Sequence, residues 1–402
     1  MKKIILLSFF ILPSLLSQWS LVNNMSTYQF YSVYFINATT GLVGGNQSGF
    51  IFRTTDGGLN FTSSSTGVNA WFLDIYFMNS NTGIACGQNG YIVKTTNGGV
   101  NWYFVFQAVN FLHSVRFVDI NTGYAVGFNN VYKSTNGGNN WTLMPNPYGN
   151  YLLSTSFIDA NTGFISGEGG LVSKTTNGGN NWVTILSNAG DIYEEIVMTN
   201  SNVGFVAGKF GKILKSTNGG NNWVLQNSGT SEWLLDLYMH NSSTGWACGM
   251  AGKIVYTTNG GSNWISQYSP TVSYVRQIHF INADTGYAVT DNGLFLKTFN
   301  GGNPTGINII NSEIPNEYLL NQNYPNPFNP NTKIQFSIPK RSSVSLKLYD
   351  NLGKEVSTLL NQSFEPGNFE IDFNADNLPS GAYFYQLISD NFRETKKMMI
   401  IK

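Results

Sequence analysis

The chain has 402 residues, of which 22 are basic and 22 acidic, so its formal net charge at pH 7 is zero. Only 11% of the residues are charged. Without a basic surplus, a protein lacks the field that attracts nucleic acid, so we expect no nucleic-acid partner. The chain has two cysteines, three histidines and no recognisable metal or nucleotide motif, so we predict neither a metal site nor a cofactor.

The first 17 residues have the pattern of an export signal. Lys2 and Lys3 precede an apolar run, residues 4–16, that is too short to span a bilayer comfortably. Ser17 is the expected cleavage position. No later segment is long and apolar enough for a membrane span, so we expect no transmembrane segment once the signal is removed.

Between residues 18 and 302 one octet recurs at a nearly fixed period. The copies are TTDGGLNF (54–61), TTNGGVNW (95–102), STNGGNNW (134–141), TTNGGNNW (175–182), STNGGNNW (216–223), TTNGGSNW (257–264) and the degenerate TFNGGNPT (298–305). Successive copies start 41 or 39 residues apart. Each unit holds four short alternating apolar runs, which we name strands A to D. This repeat predicts an all-β fold with a seven-bladed β-propeller over residues 18–302.

The octet itself is predicted to form the turn between strands C and D. Its Asn or Asp can cap the backbone, and its two glycines can adopt positive φ. It resembles the Asp-box of sialidases and sortilin-type propellers, and the whole unit is similar to the photosystem II assembly-factor propeller family. The resemblance implies the fold and leaves function open. A sialidase would need three arginines on its substrate, but one of the three in this region, Arg53, lies in strand C beside the octet.

The seventh copy lacks its closing aromatic residue and any strand D, because the chain continues as Asn303-Pro304-Thr305. The stretch QWSLVNN (18–24) is similar to NWVLQN (222–227), which begins strand D of another unit. We therefore predict that Trp19–Val22 supplies the missing outer strand and closes the ring. Closure would remove two exposed sheet edges that could otherwise pair with other chains.

The two cysteines occupy the same strand-B position in the second and sixth units. Cys86 and Cys248 thus belong to blades that are not neighbours in a seven-membered ring. We therefore expect no disulfide between them, and both are expected to be small buried core residues.

A different module follows residues 303–313, which we interpret as a linker. Residues 314–402 contain NYPNPFNP (323–330), KIQFSIP (333–339), SGAYFY (380–385) and KKMMIIK (396–402). Their alternating strands and turn signals predict a small Ig-like β-sandwich. The segment closely resembles the C-terminal sorting domain of the type IX secretion system. The resemblance implies that this secretion machinery is a partner and carries the chain through the periplasm to the outer cell surface or beyond.

The end of the propeller opposite the octets carries the candidate site residues. The residue four places before the first core position of strand A is aromatic in five blades: Trp71, Phe111, Tyr151, Trp233 and Tyr274. Gln29 and Ile192 fill the other two positions. Together with Arg116 and Arg276, the five aromatic residues are predicted to bind an extracellular glycan, matrix polymer or protein. The alternative is that they only cap the gaps between blades.

Acidic residues form the other candidate group. Every glutamate of the propeller region is expected in loops of blades four to six at the same end: Glu168, Glu194, Glu195 and Glu232. Asp191 and Asp236 join them. Paired carboxylates perform glycoside hydrolysis, so Glu194, Glu195 and Glu232 would be the catalytic residues if the chain were a secreted glycoside hydrolase or lyase. The other interpretation is an acidic rim neutralised by Lys209, Lys212 and Lys253, and we favour a binding protein over an enzyme.

Overall fold

The computed structural model describes residues 19–46, 48–146, 149, 151–299, 301–302, 307–311, 314–364, 366–375 and 378–401. The predicted signal peptide, residues 1–17, lies outside these ranges. The chain divides into two compact units, one of which is Trp19–Gly302, while the other contains Asn303–Lys402. Each unit is built from β-sheets, so the predicted all-β class is confirmed.

The first unit is a ring of seven four-stranded antiparallel sheets, each with the order A-B-C-D. Strands A are Phe30–Phe35, Phe72–Phe77, Leu112–Phe117, Leu152–Phe157, Tyr193–Met198, Leu234–Met239 and Val275–Phe280. Strands B are Gly41–Gly45, Gly83–Gly87, Gly123–Gly127, Gly163–Gly167, Gly204–Gly208, Gly245–Gly249 and Gly286–Thr290. Strand B is buried throughout because neighbouring blades cover both of its faces, which explains its small residues.

The outer half of each blade is formed by strands C and D. Strands C are Phe50–Thr54, Tyr91–Thr95, Asn130–Ser134, Leu171–Thr175, Ile213–Ser216, Ile254–Thr257 and Leu294–Thr298. Strands D are Thr62–Ser65, Tyr103–Gln107, Thr142–Met144, Val183–Leu186, Val224–Gln226, Ile265–Gln267 and, for blade seven, Ser20–Asn24. Short turns at Gln88–Gly90, Lys209–Gly211 and Met250–Gly252, whose last two residues have positive φ, join strands B and C.

The N-terminal strand closes the ring, as predicted. Ser20–Asn24 pairs antiparallel with strand C of blade seven, with Ser20 opposite Lys297. Trp19, just before the strand, is completely buried and donates its indole N–H to Gln267 Oε1 at 2.9 Å. Its ring meets Phe280 edge-on at a centroid distance of 5.6 Å. Trp19 therefore takes the place of the aromatic residue that the seventh octet lacks.

The octets form the predicted C–D turns. In blade two, Thr95 Oγ1 accepts a hydrogen bond from Gly99 N at 3.0 Å, and Asn97 Oδ1 accepts one from Asn101 N at 2.9 Å. Gly99 has a φ of 79°, and a Cβ there would lie 2.5 Å from Leu42 of the preceding blade. Trp102 is 6% exposed. The octet is therefore a structural element that joins neighbouring blades.

A basic residue in strand C links each of several octets to the blade before it. Lys94 Nζ donates to Gly137 O of the next octet at 2.8 Å, and Arg53 Nε donates to Gly98 O at the same distance. Three further pairs repeat the contact at 2.6–3.1 Å: Lys133 with Gly178, Lys174 with Gly219 and Lys215 with Gly260. Lys94 is buried and the other four side chains are half-buried, so these contacts join neighbouring blades.

The C-terminal unit is a sandwich of two four-stranded sheets. One sheet contains Ile307–Asn311, Leu319–Leu320, Asn331–Ile338 and Gly367–Asn374, and the other Ser342–Tyr349, Glu355–Phe364, Gly381–Ser389 and Phe392–Ile400. Ile334, Leu346 and Leu387 lie in the core between them. Ile307–Asn311 belongs to the segment we interpreted as a linker, so part of that segment is an edge strand of the sandwich.

Candidate ligand-binding face

The face opposite the octets is built where strand A begins and strand B ends. We call the residue just before strand A position A0 and number strand A onward from it. The backbone of A0 is held close to strand B: Gln88 N donates to Trp71 O at 2.8 Å. A Cβ on Gly87, the last residue of strand B, would lie 1.9 Å from that carbonyl oxygen. Because Gly87 has no Cβ, the backbone of A0 can pack directly against the end of strand B, and this contact fixes the position of the A0 residue.

The predicted aromatic residues occupy position A0 and are partly exposed. The exposed fractions are 38% for Trp71, 40% for Phe111, 37% for Tyr151 and 37% for Tyr274. Trp233 is half-buried. More than half of each of these residues is covered by its surroundings, and the rest is accessible to solvent.

Four side chains of blades seven, one and two form a continuous stack, which we call the stacked row. The rings of Tyr31 and Trp71 are nearly parallel, at 26° with a centroid distance of 6.1 Å. The guanidinium carbon of Arg276 lies 5.5 Å from the Tyr31 centroid and 5.3 Å from that of Tyr274. Asp291 pairs with Arg276 at 3.8 Å. The predicted residues Trp71, Tyr274 and Arg276 are thus brought together, with Tyr31 as a member that the sequence did not single out.

A second aromatic group lies at blades three and four. The ring of Tyr151 is 4.3 Å from that of Phe128 and 6.3 Å from that of His113, centroid to centroid. Burial lowers the pKa of His113 to about 4, so its imidazole is neutral at pH 7. These rings therefore form an uncharged aromatic surface.

The acidic residues lie elsewhere than predicted. Glu194 and Glu195 are in strand A of blade five, and Asp236 is in strand A of blade six, rather than in loops. A β-bulge at position A2 explains the error, because the pairing register shifts between Tyr193 and Glu195. Glu194 is the extra residue at the bulge and is half-buried, whereas Glu195 is 8% exposed. The three predicted catalytic carboxylates therefore do not form one surface group.

Glu195 and Arg116 lie inside the central channel. A cavity of about 300 Å³ there is lined by both residues and by Asp74, Asp236, Tyr76 and His279. Arg116 makes a close ion pair with Asp74, and its Nη2 lies 3.5 Å from Glu195 Oε1. Arg116 is thus the internal counterion of the channel carboxylates, and it is separate from the exposed aromatic residues with which it was predicted to act.

Position A3 connects neighbouring blades around this channel. Asp74 Oδ2 accepts a hydrogen bond from Val115 N at 2.8 Å, and Asp236 Oδ2 accepts one from Ile278 N at 2.8 Å. Gln277 Oε1 joins blade seven to blade one by accepting from Val33 N at 2.7 Å. Asp74 and Asp236 therefore hold neighbouring blades together, whether or not they also take part in catalysis.

Burial makes the two adjacent glutamates weak acids. Desolvation raises the pKa of Glu195 to about 8, against the opposing effect of Arg116. Desolvation also raises the pKa of Glu194 to about 7, while the Trp233 indole beside it acts in the opposite direction. At neutral pH both side chains exist largely or partly as neutral acids.

The remaining charged residues of the predicted acidic rim lie mainly in blades five and six, on the face opposite the octets. Lys212 Nζ pairs with Asp191 Oδ1 at 2.6 Å, which is the neutralisation expected for the acidic rim. Lys209 Nζ lies over two rings, 5.7 Å from the Trp233 centroid and 4.8 Å from that of Phe210. Glu168 is exposed and Glu232 is half-buried.

Phe210 was missed by the sequence reasoning. It is 58% exposed at the turn between strands B and C. The signal that could have found it is the motif KFG, which stands where blade two has QNG.

Within the described part of the chain, no group of three or more His, Cys, Asp or Glu side chains is arranged to hold a metal ion. Cys86 and Cys248 are both buried free thiols. The same residue ranges contain no helix of the length and apolarity needed to cross a membrane.

Comparison with known proteins agrees with both units. Residues 104–230 match the family described as photosynthesis system II assembly factor YCF48, and residues 322–402 match the secretion system C-terminal sorting domain. The propeller has the fold of YCF48. A YCF48 structure with bound D1 peptide is 19% identical at a TM-score of 0.60, covering 71% of this chain and 98% of its own. YCF48 from Cyanidioschyzon merolae is 17% identical, with a TM-score of 0.58 and coverages of 70% and 98%.

Virginiamycin B lyase from Staphylococcus aureus also shares the fold, at 13% identity and a TM-score of 0.59, with 69% of this chain and 97% of that chain covered. No curated protein matches the sequence. The sorting domain indicates export to the cell surface or the extracellular space.

Proposed function

We propose that this protein is a binding module that the type IX secretion machinery exports through the periplasm to the outer cell surface or the medium. Its ligand is an extracellular glycan, matrix polymer or protein, held on the face opposite the octets. The observation that carries the proposal is the set of partly exposed aromatic side chains at position A0. Aromatic side chains with accessible surface are typical anchors of protein and carbohydrate ligands.

The stacked row supports this function. Tyr31, Trp71, Tyr274 and the Arg276 guanidinium present π surfaces and hydrogen-bond donors on three adjacent blades. The side chains of the row already contact one another, so binding of a ligand would cost them little conformational entropy. The YCF48 structure that shares this fold holds a peptide, which is consistent with a polymer ligand for a propeller of this type.

The test is a glycan, polysaccharide and peptide array probed with the exported protein and with three variants. Trp71→Ala and Tyr274→Ala should each weaken binding of any ligand found by about 30-fold, equivalent to about 2 kcal/mol for an interface anchor. Tyr103→Ala is the matched control, because Tyr103 is 44% exposed on an outermost strand away from this face. Equal losses in all three variants, or none in the first two, would contradict the proposed face.

A secreted glycoside hydrolase or lyase is the second candidate. The observation in its favour is that burial raises the pKa of Glu194 to about 7, a value suited to a general acid. Glu194→Gln, Glu195→Gln and Glu232→Gln should then abolish product formation on an array ligand and leave binding intact. Full product formation by all three variants would exclude these carboxylates from catalysis, and absence of product with the wild-type protein would leave the binding function alone.

A further inference from the structure

The turn between strands B and C of blade five holds a large side chain in an unfavourable backbone conformation. Lys212 N donates to Lys209 O at 3.3 Å, and the two residues between them, Phe210 and Gly211, have φ values of 61° and 67°. A two-residue turn with both φ values positive is type I′, for which Asn-Gly is the preferred sequence. Blade two has that sequence, Asn89-Gly90, at the same turn. A phenylalanine at positive φ is a true outlier.

Packing does not compensate for this conformation. Phe210 remains 58% exposed, so it gains little of the burial that could stabilise a strained aromatic residue. The equivalent turn of blade six contains Ala251, with a φ of 54° and no ring. Local strain without a packing benefit is characteristic of residues kept for function.

The surroundings of Phe210 form a small platform, which we define as Lys209, Phe210 and Trp233. The Lys209 ammonium lies over both rings, and Trp233 is one of the predicted anchors at position A0. Glu194 adjoins the Trp233 indole, and Glu168 is near enough for its charge to disfavour ionisation of Glu194 and raise its pKa. The platform thus combines aromatic surface with one cationic donor and carboxyl groups.

We propose that the Phe210 platform is a subsite for one uncharged hexose unit of an extracellular glycan. This rests on the proposed binding function and narrows its ligand to a glycan at this position. The C–H face of a sugar ring would lie on the exposed aromatic surface, and its hydroxyl groups would bond to Lys209 and Glu194. Aromatic stacking combined with a few polar groups is the general design of such sites.

The charges around the platform favour an uncharged ligand. Charges of both signs act here: Glu168 raises the pKa of Glu194 and Arg276 lowers it, so a ligand that carries only one sign of charge is repelled by part of the site. A cationic side chain would have to displace Lys209, whose ammonium already lies over both rings. A neutral sugar carries no charge for Lys209 to repel, and its C–H face can use the part of the Phe210 ring that remains exposed.

The experiment is titration calorimetry of the exported protein with cellohexaose, maltohexaose and mannohexaose, beside a hyaluronan hexasaccharide and a lysine-rich decapeptide. Phe210→Asn restores the preferred turn residue and removes the ring. It should weaken neutral oligosaccharide binding at least tenfold and raise the melting temperature by about 1–3 °C. Phe210→Tyr should keep the affinity. Ala251→Asn, the same backbone change one blade away, should leave affinity unchanged.

Three results would overturn the subsite. These are wild-type affinity in Phe210→Asn, a lower melting temperature in that variant, and binding of the hyaluronan or peptide probe with no binding of the neutral hexasaccharides. If array ligands instead depend on Trp71 and Tyr274 but not on Phe210, the proposed binding function stands and the sugar subsite does not. An array without any ligand counts against the proposed function itself.

Discussion

Replacement of Trp19 tests whether the N-terminal strand holds the propeller closed. Trp19 is completely buried, and truncating a buried tryptophan to alanine costs about 3–5 kcal/mol. The change also leaves Gln267 Oε1 without its donor, for which a buried acceptor loses about 1–3 kcal/mol. The two losses overlap, so we expect Trp19→Ala to destabilise the ring by about 5 kcal/mol, a large part of the stability of a typical domain.

Calorimetry of the chain beginning at residue 18 is the assay, since it separates the melting of the propeller from that of the sandwich. Trp19→Phe keeps one aromatic ring but loses the pyrrole half of the indole and the hydrogen bond, so it should cost less than Trp19→Ala, about 1–3 kcal/mol. Trp141→Ala is the internal reference, because Trp141 is 7% exposed and donates to Gly138 O at 3.1 Å. Deletion of residues 18–24 should lower the melting temperature further and expose the edge strand Leu294–Thr298 to dimerisation. If the propeller of Trp19→Ala melted at the same temperature as that of the wild type, ring closure by this strand would be refuted.

Three further predictions concern export, pH and the strand-C lysines. Removal of residues 314–402 should leave a folded propeller in the periplasm of the native host, and its normal appearance outside would contradict the sorting function. Since burial raises the pKa of Glu195 from 4.5 to about 8, the folded state keeps a proton that the unfolded state releases. The melting temperature of the wild type relative to Glu195→Gln should therefore fall between pH 5 and pH 8, a comparison that cancels the opposite effect of His113 and His279, whose pKa values burial lowers to about 4; a rise of this difference would be inconsistent. Lys94→Met should cost about 1–3 kcal/mol by leaving Gly137 O unpaired, whereas Lys253→Met, which loses only a 3.5 Å contact to Ser266, should be nearly neutral in urea denaturation.

The blade architecture could be predicted because its signals are local and repeated. The octet Asn or Asp and the glycine pair demand a specific turn, and seven copies fix the period. The closing strand was predictable for the same reason, since one octet lacks its aromatic residue and Trp19 supplies a match elsewhere. The strand Ile307–Asn311 has no such repeat to identify it, and it lay within the expected linker.

The site was predictable only in part. Position A0 occurs once in each repeat, so its aromatic residues could be located from the repeat spacing alone. The direction of Glu194 and Glu195 depends on a bulge that shifts the register by one residue, and alternation of apolar and polar residues does not reveal it. The ion pair of Arg116 with Asp74 joins the neighbouring blades two and three at the channel, a contact that no local pattern specifies. Phe210 could have been recognised from turn chemistry, because its position calls for asparagine.

Completion of blade seven joins segments from the two ends of the propeller in one sheet. Ser20 pairs with Lys297, which gives this sheet the highest contact order in the ring. A chain that emerges N-terminus first, from the ribosome or across a membrane, cannot form that pairing until the last blade has emerged. Until then, the first strand has no partner in its own chain and the ring stays open. Closure of the seventh blade is thus the step at which an incompletely translocated chain differs from a complete one, and protease sensitivity of the open edge is the property by which a cell could tell them apart.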